Sequence, residues 1–263
     1  MKRLRDWYDH PEYYEAIFGT DTAQEMDFLQ AVNRQHGTGG SLLLEPACGA
    51  GRLLAEGARR GLRLVGYDLS ERMLAHARAR LTPKERSRVR LERAAMQGFQ
   101  APELEGRVDL AFNLVSTFRY LDSDAAALAH LEATRRLLKP EGLYVLGFHL
   151  TDYGRSRPER ERWVGEHEGA KVVCNTQEGL PERRLRRAPM RNRLQVSGGG
   201  KEQLLIETEW YFRTYDLRQA RSLFRRAGLT PVATYDFDYR LEAPVARGSL
   251  RLDRIFVLRP FAG

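Results

Sequence analysis

The stretch Leu42-Leu43-Leu44-Glu45-Pro46-Ala47-Cys48-Gly49-Ala50-Gly51-Arg52 decides the fold. A short apolar run of this kind reads as a buried strand. Small residues follow at Ala47, Gly49 and Gly51, and a helix pattern opens at Arg52. At such a junction the first N–H groups of the helix have no partner of their own and point at whatever lies beyond the strand end. Small side chains let a ligand come close to that backbone. A dinucleotide loop needs G-x-G-x-x-G spacing under a pyrophosphate, and this loop has neither that spacing nor a charge suited to phosphate. Glu45, at the strand end, repels a phosphate and suits a cationic amino group.

Outward from the loop, strand-like and helix-like blocks alternate. Leu62–Tyr67 forms a second strand that ends on Asp68, seventeen residues after Gly51. A carboxylate there can accept both hydroxyls of a ribose. Helices are expected from about Arg52 to Arg60, from a Ser70 cap to Leu81, and from an Asp122 or Ser123 cap to Leu138. Further strands fall at Val89–Leu91, Val108–Val115 and Leu143–Phe148. Near the start, Thr22 and Glu25 have the spacing of a capping box for a first helix. The alternation predicts an α/β fold: a doubly wound, mostly parallel seven-stranded sheet with a final antiparallel strand. Residues 150–167 look polar, irregular or partly helical. Val172–Cys174, Arg191–Val196 and Leu204–Tyr215 read as antiparallel strands, with Gly198-Gly199-Gly200 as a turn. Asp216 caps a helix ending at Gly228, and strands near Val232–Phe237 and Arg254–Leu258 close the chain. We therefore expect one domain over 1–263, with an N-terminal helical lid at 1–38 and a β insertion at 150–215 that roofs the acceptor.

These motifs resemble, over about residues 40–150, the class I S-adenosylmethionine-dependent methyltransferases, and in particular their small-molecule members. The segment Glu45 to Gly51 matches the family's acid-x-Gly-x-Gly-x-Gly motif, except that Ala47 replaces the first glycine and implies a more crowded loop. Gly66-Tyr67-Asp68-Leu69-Ser70-Glu71-Arg72-Met73-Leu74 resembles the second motif. The resemblance implies S-adenosyl-L-methionine as cofactor, with S-adenosyl-L-homocysteine as product. Its site would comprise Tyr14, Glu45, Ala47, Cys48, Gly49, Ala50, Gly51, Asp68, Leu69, Met73, Ala95, Met96, Asn113 and Leu114. Asp68 would hold the ribose, and Leu69 and Met73 would pack near the adenine. Ala95 stands where the family often has an Asp facing the adenine amine, so only backbone contact is implied there.

Methyl transfer asks the protein mainly to align the acceptor with an already activated methyl group. The Asn/Asp-Pro-Pro-aromatic loop of base methylation is missing from Asn113-Leu114-Val115-Ser116. The acceptor is expected over the ends of strands four and five, near Ser116, Thr117, Tyr120, His149, Asp152 and Tyr153. His149 is the first choice of general base because its ordinary pKa suits neutral pH, and Tyr120 the second. The aromatic start, Tyr8-Asp9-His10-Pro11-Glu12-Tyr13-Tyr14, reads as a lid or as core packing. In the strand at Leu204–Tyr215, Glu207, Glu209, Tyr211 and Arg213 share a face by alternation, and Glu209, Tyr211 and Arg213 are candidates for acceptor binding.

Composition bounds the rest. No apolar run approaches the ~20 residues that span a bilayer, and the basic start (Lys2, Arg3, Arg5) lacks the apolar stretch of a signal peptide, so a cytoplasmic protein without a membrane partner is expected. Two cysteines, Cys48 and Cys174, make neither a disulfide framework nor a metal site, and no metal is expected. The net charge is +8, but only five of the 43 basic residues are lysine and the arginines are scattered among acids. The expected function is methyl transfer to N or O of a small-molecule acceptor. Alternatives are an RNA or protein methyltransferase using the Arg-rich segment 182–193, and a cofactor-binding protein without turnover.

Overall fold

In the computed structural model, residues 6–19, 21–200, 203–246 and 249–261 are described; Lys2, Arg3 and Arg5 lie outside them. The chain runs α1 (Pro11–Phe18), α2 (Thr22–His36), β1 (Leu42–Pro46), α3 (Arg52–Arg59), β2 (Arg63–Asp68), α4 (Glu71–Arg80), α5 (Pro83–Arg86) and β3 (Val89–Arg93). It continues through β4 (Val108–Asn113), α6 (Asp124–Leu137), β5 (Leu138–His149), β6 (Glu159–His167), β7 (Ala170–Glu178), β8 (Arg187–Gly198) and β9 (Leu204–Arg213). It ends with α7 (Leu217–Arg226), β10 (Leu229–Tyr235) and β11 (Asp253–Pro260).

Seven strands form one sheet in the order β10-β11-β5-β4-β1-β2-β3. β1, β2, β3, β4 and β5 run parallel, and β11 is antiparallel to both its neighbours, β5 and β10. Alternate side chains feed two cores, as strand pleating requires. Leu44, Tyr144, Leu146 and Phe148 face the layer of α6 and α7. Leu43, Leu110, Phe112 and Val145 face α2 and α3. The strand order reverses beside β1, which places a ligand crevice above its carboxyl end.

β6, β7, β8 and β9 make a separate antiparallel sheet. Its inner face (Val172, Cys174, Leu194, Val196, Ile206) packs on Trp7, Tyr13 and Ile17 from the N-terminal segment. Here the sequence misled in one place. Residues 159–167 form an edge strand, not irregular chain. Its Glu and Arg side chains are mostly exposed, and the backbone pairing with β7 that makes it a strand leaves no apolar run in sequence. The strands expected at 172–174 and 191–196 extend to nine and twelve residues for the same reason. The Thr22–Glu25 capping box is also absent. Thr22 Oγ1 donates to the Gly19 carbonyl at 3.0 Å, and Glu25 is drawn inward to the Arg52 guanidinium at 2.5 Å.

One buried ion pair joins the two sheets. Arg119, 2% exposed, lies in the turn after β4 and donates to both oxygens of Glu178 at the end of β7, at 3.1 and 2.9 Å. Its Nε donates to the Arg213 carbonyl of β9 at 3.2 Å, and its guanidinium lies 4.7 Å from the Phe212 ring centre. Arg155 also lies 3.6 Å from Glu178, so removing Arg119 leaves that carboxylate a single cation, at a cost near the lower end of the about 3–5 kcal/mol of a broken buried pair. Arg119→Met is therefore expected to lower the melting temperature by roughly 10 °C in a calorimetric scan; a shift under 2 °C would show that the pair does not hold the sheets together.

Candidate functional site

The crevice above β1 is a cleft, partly open to solvent, lined by α1, the loop after β1, the start of α3 and the turn after β4. Its floor is the loop after β1. Ala47, Gly49 and Gly51 all adopt left-handed backbone, with φ of 51°, 52° and 69°. Glycine adopts this without penalty and alanine does not. The departure at Ala47 therefore costs backbone strain. A Cβ on Gly49 would meet nothing within 4 Å, so that position is open toward the cleft. Gly51 is different: a Cβ there would come within 2.7 Å of the Ala77 Cβ, so this glycine lets α3 pack on α4.

Asp68 locks the floor. One carboxylate oxygen accepts from Gly49 N at 2.9 Å and the other from Ser70 N at 2.8 Å. Burial nevertheless raises its pKa, with those N–H groups pulling the other way. Glu45 is 9% exposed, and its Oε2 is buried with no hydrogen-bond partner. Burial pushes its pKa well above the carboxylate range; the nearby Arg52 opposes this and Glu25 adds to it. The Asn113 amide donates to the Pro46 carbonyl at 2.8 Å, while its Oδ1 is left unpartnered. In the loop the Cys48, Gly49 and Gly51 N–H groups are already engaged, by the Tyr67 carbonyl, Asp68 and the Cys48 carbonyl; two orphaned acceptors thus stand beside the first turn of α3, whose N–H groups no side chain caps. An amino-acid tail supplies an ammonium for the acceptors and a carboxylate for the N–H groups. The residues present fit S-adenosylmethionine, and a pyrophosphate would sit against Glu45.

Of the residues expected to hold the cofactor, Tyr14, Glu45, Ala47, Cys48, Gly49, Ala50, Asn113 and Leu114 line the cleft. Leu69 stands 66% exposed, apolar surface of the kind a purine covers. Met73 is sealed in the core at 1% exposure, because α4 turns that side chain down onto the sheet. Ala95 and Met96 begin a short turn beside β2, where Ala94 N donates to the Asp68 carbonyl at 3.1 Å. The Cys48 thiol is buried and its pKa is pushed up by that burial, as befits a filler.

Comparisons with known proteins agree with this geometry. Residues 43–142 match a family model described as a methyltransferase domain. A putative methyltransferase of Geobacillus sp. (strain WCH70) is 30% identical over 129 residues, 47% of this chain and 49% of that protein. The chain thus aligns with about half the length of that relative. DesVI of Streptomyces venezuelae has the same fold, with a TM-score of 0.77 at 20% identity, covering 98% of this chain and 100% of that one. So does the sugar N-methyltransferase KedS8 of Streptoalloteichus, with a TM-score of 0.73 at 20% identity over 98% and 95% of the two chains.

The far side of the cleft is the turn after β4. Val115 and Ser116 both have positive φ, 62° and 63°. A β-branched residue there is a strained outlier. The strain is held by Ser116 N on the Gly147 carbonyl at 3.0 Å and by the Arg119–Glu178 pair. Thr117 lines the cleft, while Ser116 is buried and its Oγ accepts from His149 N at 3.2 Å. Tyr120 shares a 2.7 Å hydroxyl–hydroxyl bond with Tyr8 and stacks 6.0 Å from Trp210. Trp210 stacks 6.1 Å from Trp7, which touches Tyr14 and Phe18 at the cleft. Tyr8, Tyr120, Trp7, Trp210 and Phe212 therefore form one aromatic wall.

Other expected acceptor residues lie elsewhere. His149 is half-exposed, and its Nδ1 sits 2.6 Å from Asp253 on β11, outside the cleft lining. Tyr153 bonds Thr214 at 2.8 Å, near the start of α7; Asp152 Oδ1 accepts from Gly154 N at 2.8 Å. On β9 the face chosen for its polarity is the outer one. Glu209 and Tyr211 are exposed; Arg191 lies 3.9 Å from Glu209, and the Arg187 guanidinium 4.3 Å from the Tyr211 ring centre. Arg213 reaches Asp124 at 2.9 Å. The inner face carries Trp210 and Phe212, which apolar packing against Trp7 and Tyr120 selects. Sequence reasoning missed those two, together with Phe18, Glu15 and Arg52 in the cleft. For Trp210 and Phe212 the signal was the same two-residue alternation, one position over.

Because Glu45 holds its proton more tightly than usual until a cation arrives, binding of an ammonium releases that proton. S-adenosylhomocysteine affinity is expected to rise with pH through the raised Glu45 pKa and then level off. Glu45→Gln is expected to remove that dependence and weaken binding about ten- to hundredfold. Calorimetry in two buffers of different ionisation heat checks this; no proton release below the plateau would overturn it.

Proposed function

We propose that the protein is an S-adenosylmethionine-dependent methyltransferase acting on a small-molecule acceptor, at nitrogen in preference to oxygen. The observation that carries the first half is the unpartnered carboxylate oxygen of Glu45 beside the left-handed Ala47–Gly51 loop. When bound, the cofactor supplies an activated sulfonium methyl group. Glu45 and Asn113 would hold the ammonium of its tail, the uncapped N–H groups at the start of α3 its carboxylate, and Asp68 its ribose. Transfer forms the bond from the acceptor atom to the methyl carbon, breaks the methyl–sulfur bond, and leaves the acceptor to lose one proton.

The preference for nitrogen rests on the proton. Burial keeps the Tyr8 and Tyr120 hydroxyls protonated far above neutral pH and pushes Tyr14 up to about 12. These groups orient an acceptor by hydrogen bonds and do not deprotonate it. Glu15, at the cleft, is engaged by His76 at 2.8 Å. An amine attacks through its lone pair and gives up its proton afterwards, whereas an alcohol needs a base first. The likeness to KedS8, named a sugar N-methyltransferase, supports the same reading. The acceptor would sit between Thr117 and the aromatic wall, with residues 6–18 as its lid and β9 as its roof.

The Arg-rich segment favours a small acceptor over RNA. Arg186 pairs with Asp124 at 2.9 Å, Arg187 with Glu182 at 3.0 Å, and Arg191 and Arg193 with Glu207 at 3.1 Å. Charge spent on carboxylates is poorly placed to neutralise phosphates.

Calorimetric titration with S-adenosylhomocysteine is expected to give tight binding that Asp68→Ala weakens at least about thirtyfold, through two lost ribose contacts to a charged group. No binding, or binding indifferent to Asp68→Ala, would sink the cofactor assignment. Once an amine acceptor is found by mass shift in a pooled screen, Trp210→Ala should raise its KM roughly tenfold and leave the S-adenosylhomocysteine affinity within about twofold. An unchanged acceptor KM would remove Trp210 from the acceptor site.

A further inference from the structure

His130, on α6, is completely buried and has no place in the chemistry described so far. Its two ring nitrogens bridge two elements. Nδ1 lies 3.1 Å from the Met96 carbonyl, and Nε2 lies 2.8 Å from the Tyr144 hydroxyl on β5. A carbonyl can only accept, so Nδ1 carries the proton; Nε2 must then accept from the Tyr144 O–H. The tautomer is fixed, and the hydrogen bonds run one way, from Tyr144 through His130 to Met96. Burial holds the imidazole neutral, with its pKa lowered to about 4, so this chain persists at every working pH.

Met96 opens the turn that flanks the ribose carboxylate. The turn is tied to β2 by Ala94 N on the Asp68 carbonyl, 3.1 Å, and closed by Gly98 N on the Ala95 carbonyl, 3.1 Å. Ala95 has no polar side chain to address a purine. Whatever reading of the purine edge takes place here falls to backbone groups of residues 95 and 96, whose placement depends on how the turn is anchored. The same imidazole lies 6.0 Å from the ring of Phe118 in the turn after β4. A leucine of similar volume would fill the space; two directed hydrogen bonds in a dry core are needed only if the turn must be held in one place.

We propose that His130 is a positioning residue which, by gripping the Met96 carbonyl, sets the backbone edge that recognises the purine of the cofactor and distinguishes an adenine from its 6-oxo counterpart. The inference rests on the cofactor reading above. Adenine offers an acceptor at ring N1 and a donor at its amine. In the 6-oxo purine N1 carries a proton and the amine becomes an acceptor, so a fixed backbone edge favours one of the two, and a loosened edge does not.

The test compares calorimetric affinities of S-adenosylhomocysteine and its 6-oxo analogue for the full chain. The wild-type protein is expected to favour the adenine form at least tenfold. His130→Phe should cut that ratio at least fivefold. His130→Asn keeps an amide N–H for the Met96 carbonyl and should restore the ratio to within twofold of wild type. A purely structural role would lower both affinities together, or the melting temperature alone, and leave the ratio where it was. Should His130→Phe fail to fold, His130→Leu takes its place, since it fills the same space without a donor for the Met96 carbonyl, and it too should lower the ratio. An unchanged ratio in every folded variant overturns the proposal. If the wild-type protein binds neither compound, the cofactor reading itself has failed, an outcome distinct from an unchanged ratio.

Discussion

Arg119, fully buried, and Glu178, largely buried, carry opposite charges into the joint between the two sheets, where Arg155 also lies 3.6 Å from Glu178. The Arg119 guanidinium is anchored twice on Glu178 and once on the backbone of β9. It belongs to the turn that follows β4, the same turn whose first residues, Val115 and Ser116, are forced into left-handed backbone. A strained turn persists only where its surroundings over-determine it. Here the surroundings are the second sheet. Thr117 in the cleft and Tyr120 in the aromatic wall lie two residues before and one residue after Arg119, so this side of the cleft is shaped by the joint between the sheets.

The donor side is built on a different principle. Asp68 uses both oxygens on the backbone of the cofactor loop and of α4's start, so the loop is held before any ligand arrives. Glu45 is left unsatisfied in the same small space. A buried carboxyl with no partner destabilises the protein unless it is neutral or meets a cation, and raised pKa values at a cleft are a mark of function. Ala47 fits the same account: it accepts a backbone conformation that glycine would adopt without strain, and the fold tolerates the cost at the site.

Much of this was legible in the sequence. The β1 loop, the carboxylate ending β2, and the helix caps at Ser70, Ser123 and Asp216 follow local rules, and each is found where expected. The failures were non-local. Glu25 has the spacing of a capping partner, yet Arg52, far along the chain, draws it away. Residues 159–167 look like loop because their strand character comes from pairing with β7 alone. His149 has the right chemistry, but β11 places Asp253 beside it and turns its ring out of the cleft.

The sequence by itself determined the α/β order, the small-residue loop after β1 and the two carboxylates at the strand ends, because strand, turn and cap preferences act over a few residues. The tertiary structure alone decided which face of β9 looks inward, which arginines are spent on acids, and that Tyr8 and Trp7 meet Tyr120 and Trp210. The reason is physical: a strand's pattern shows that its two faces differ, and only the packing of distant apolar surface shows which face the core takes.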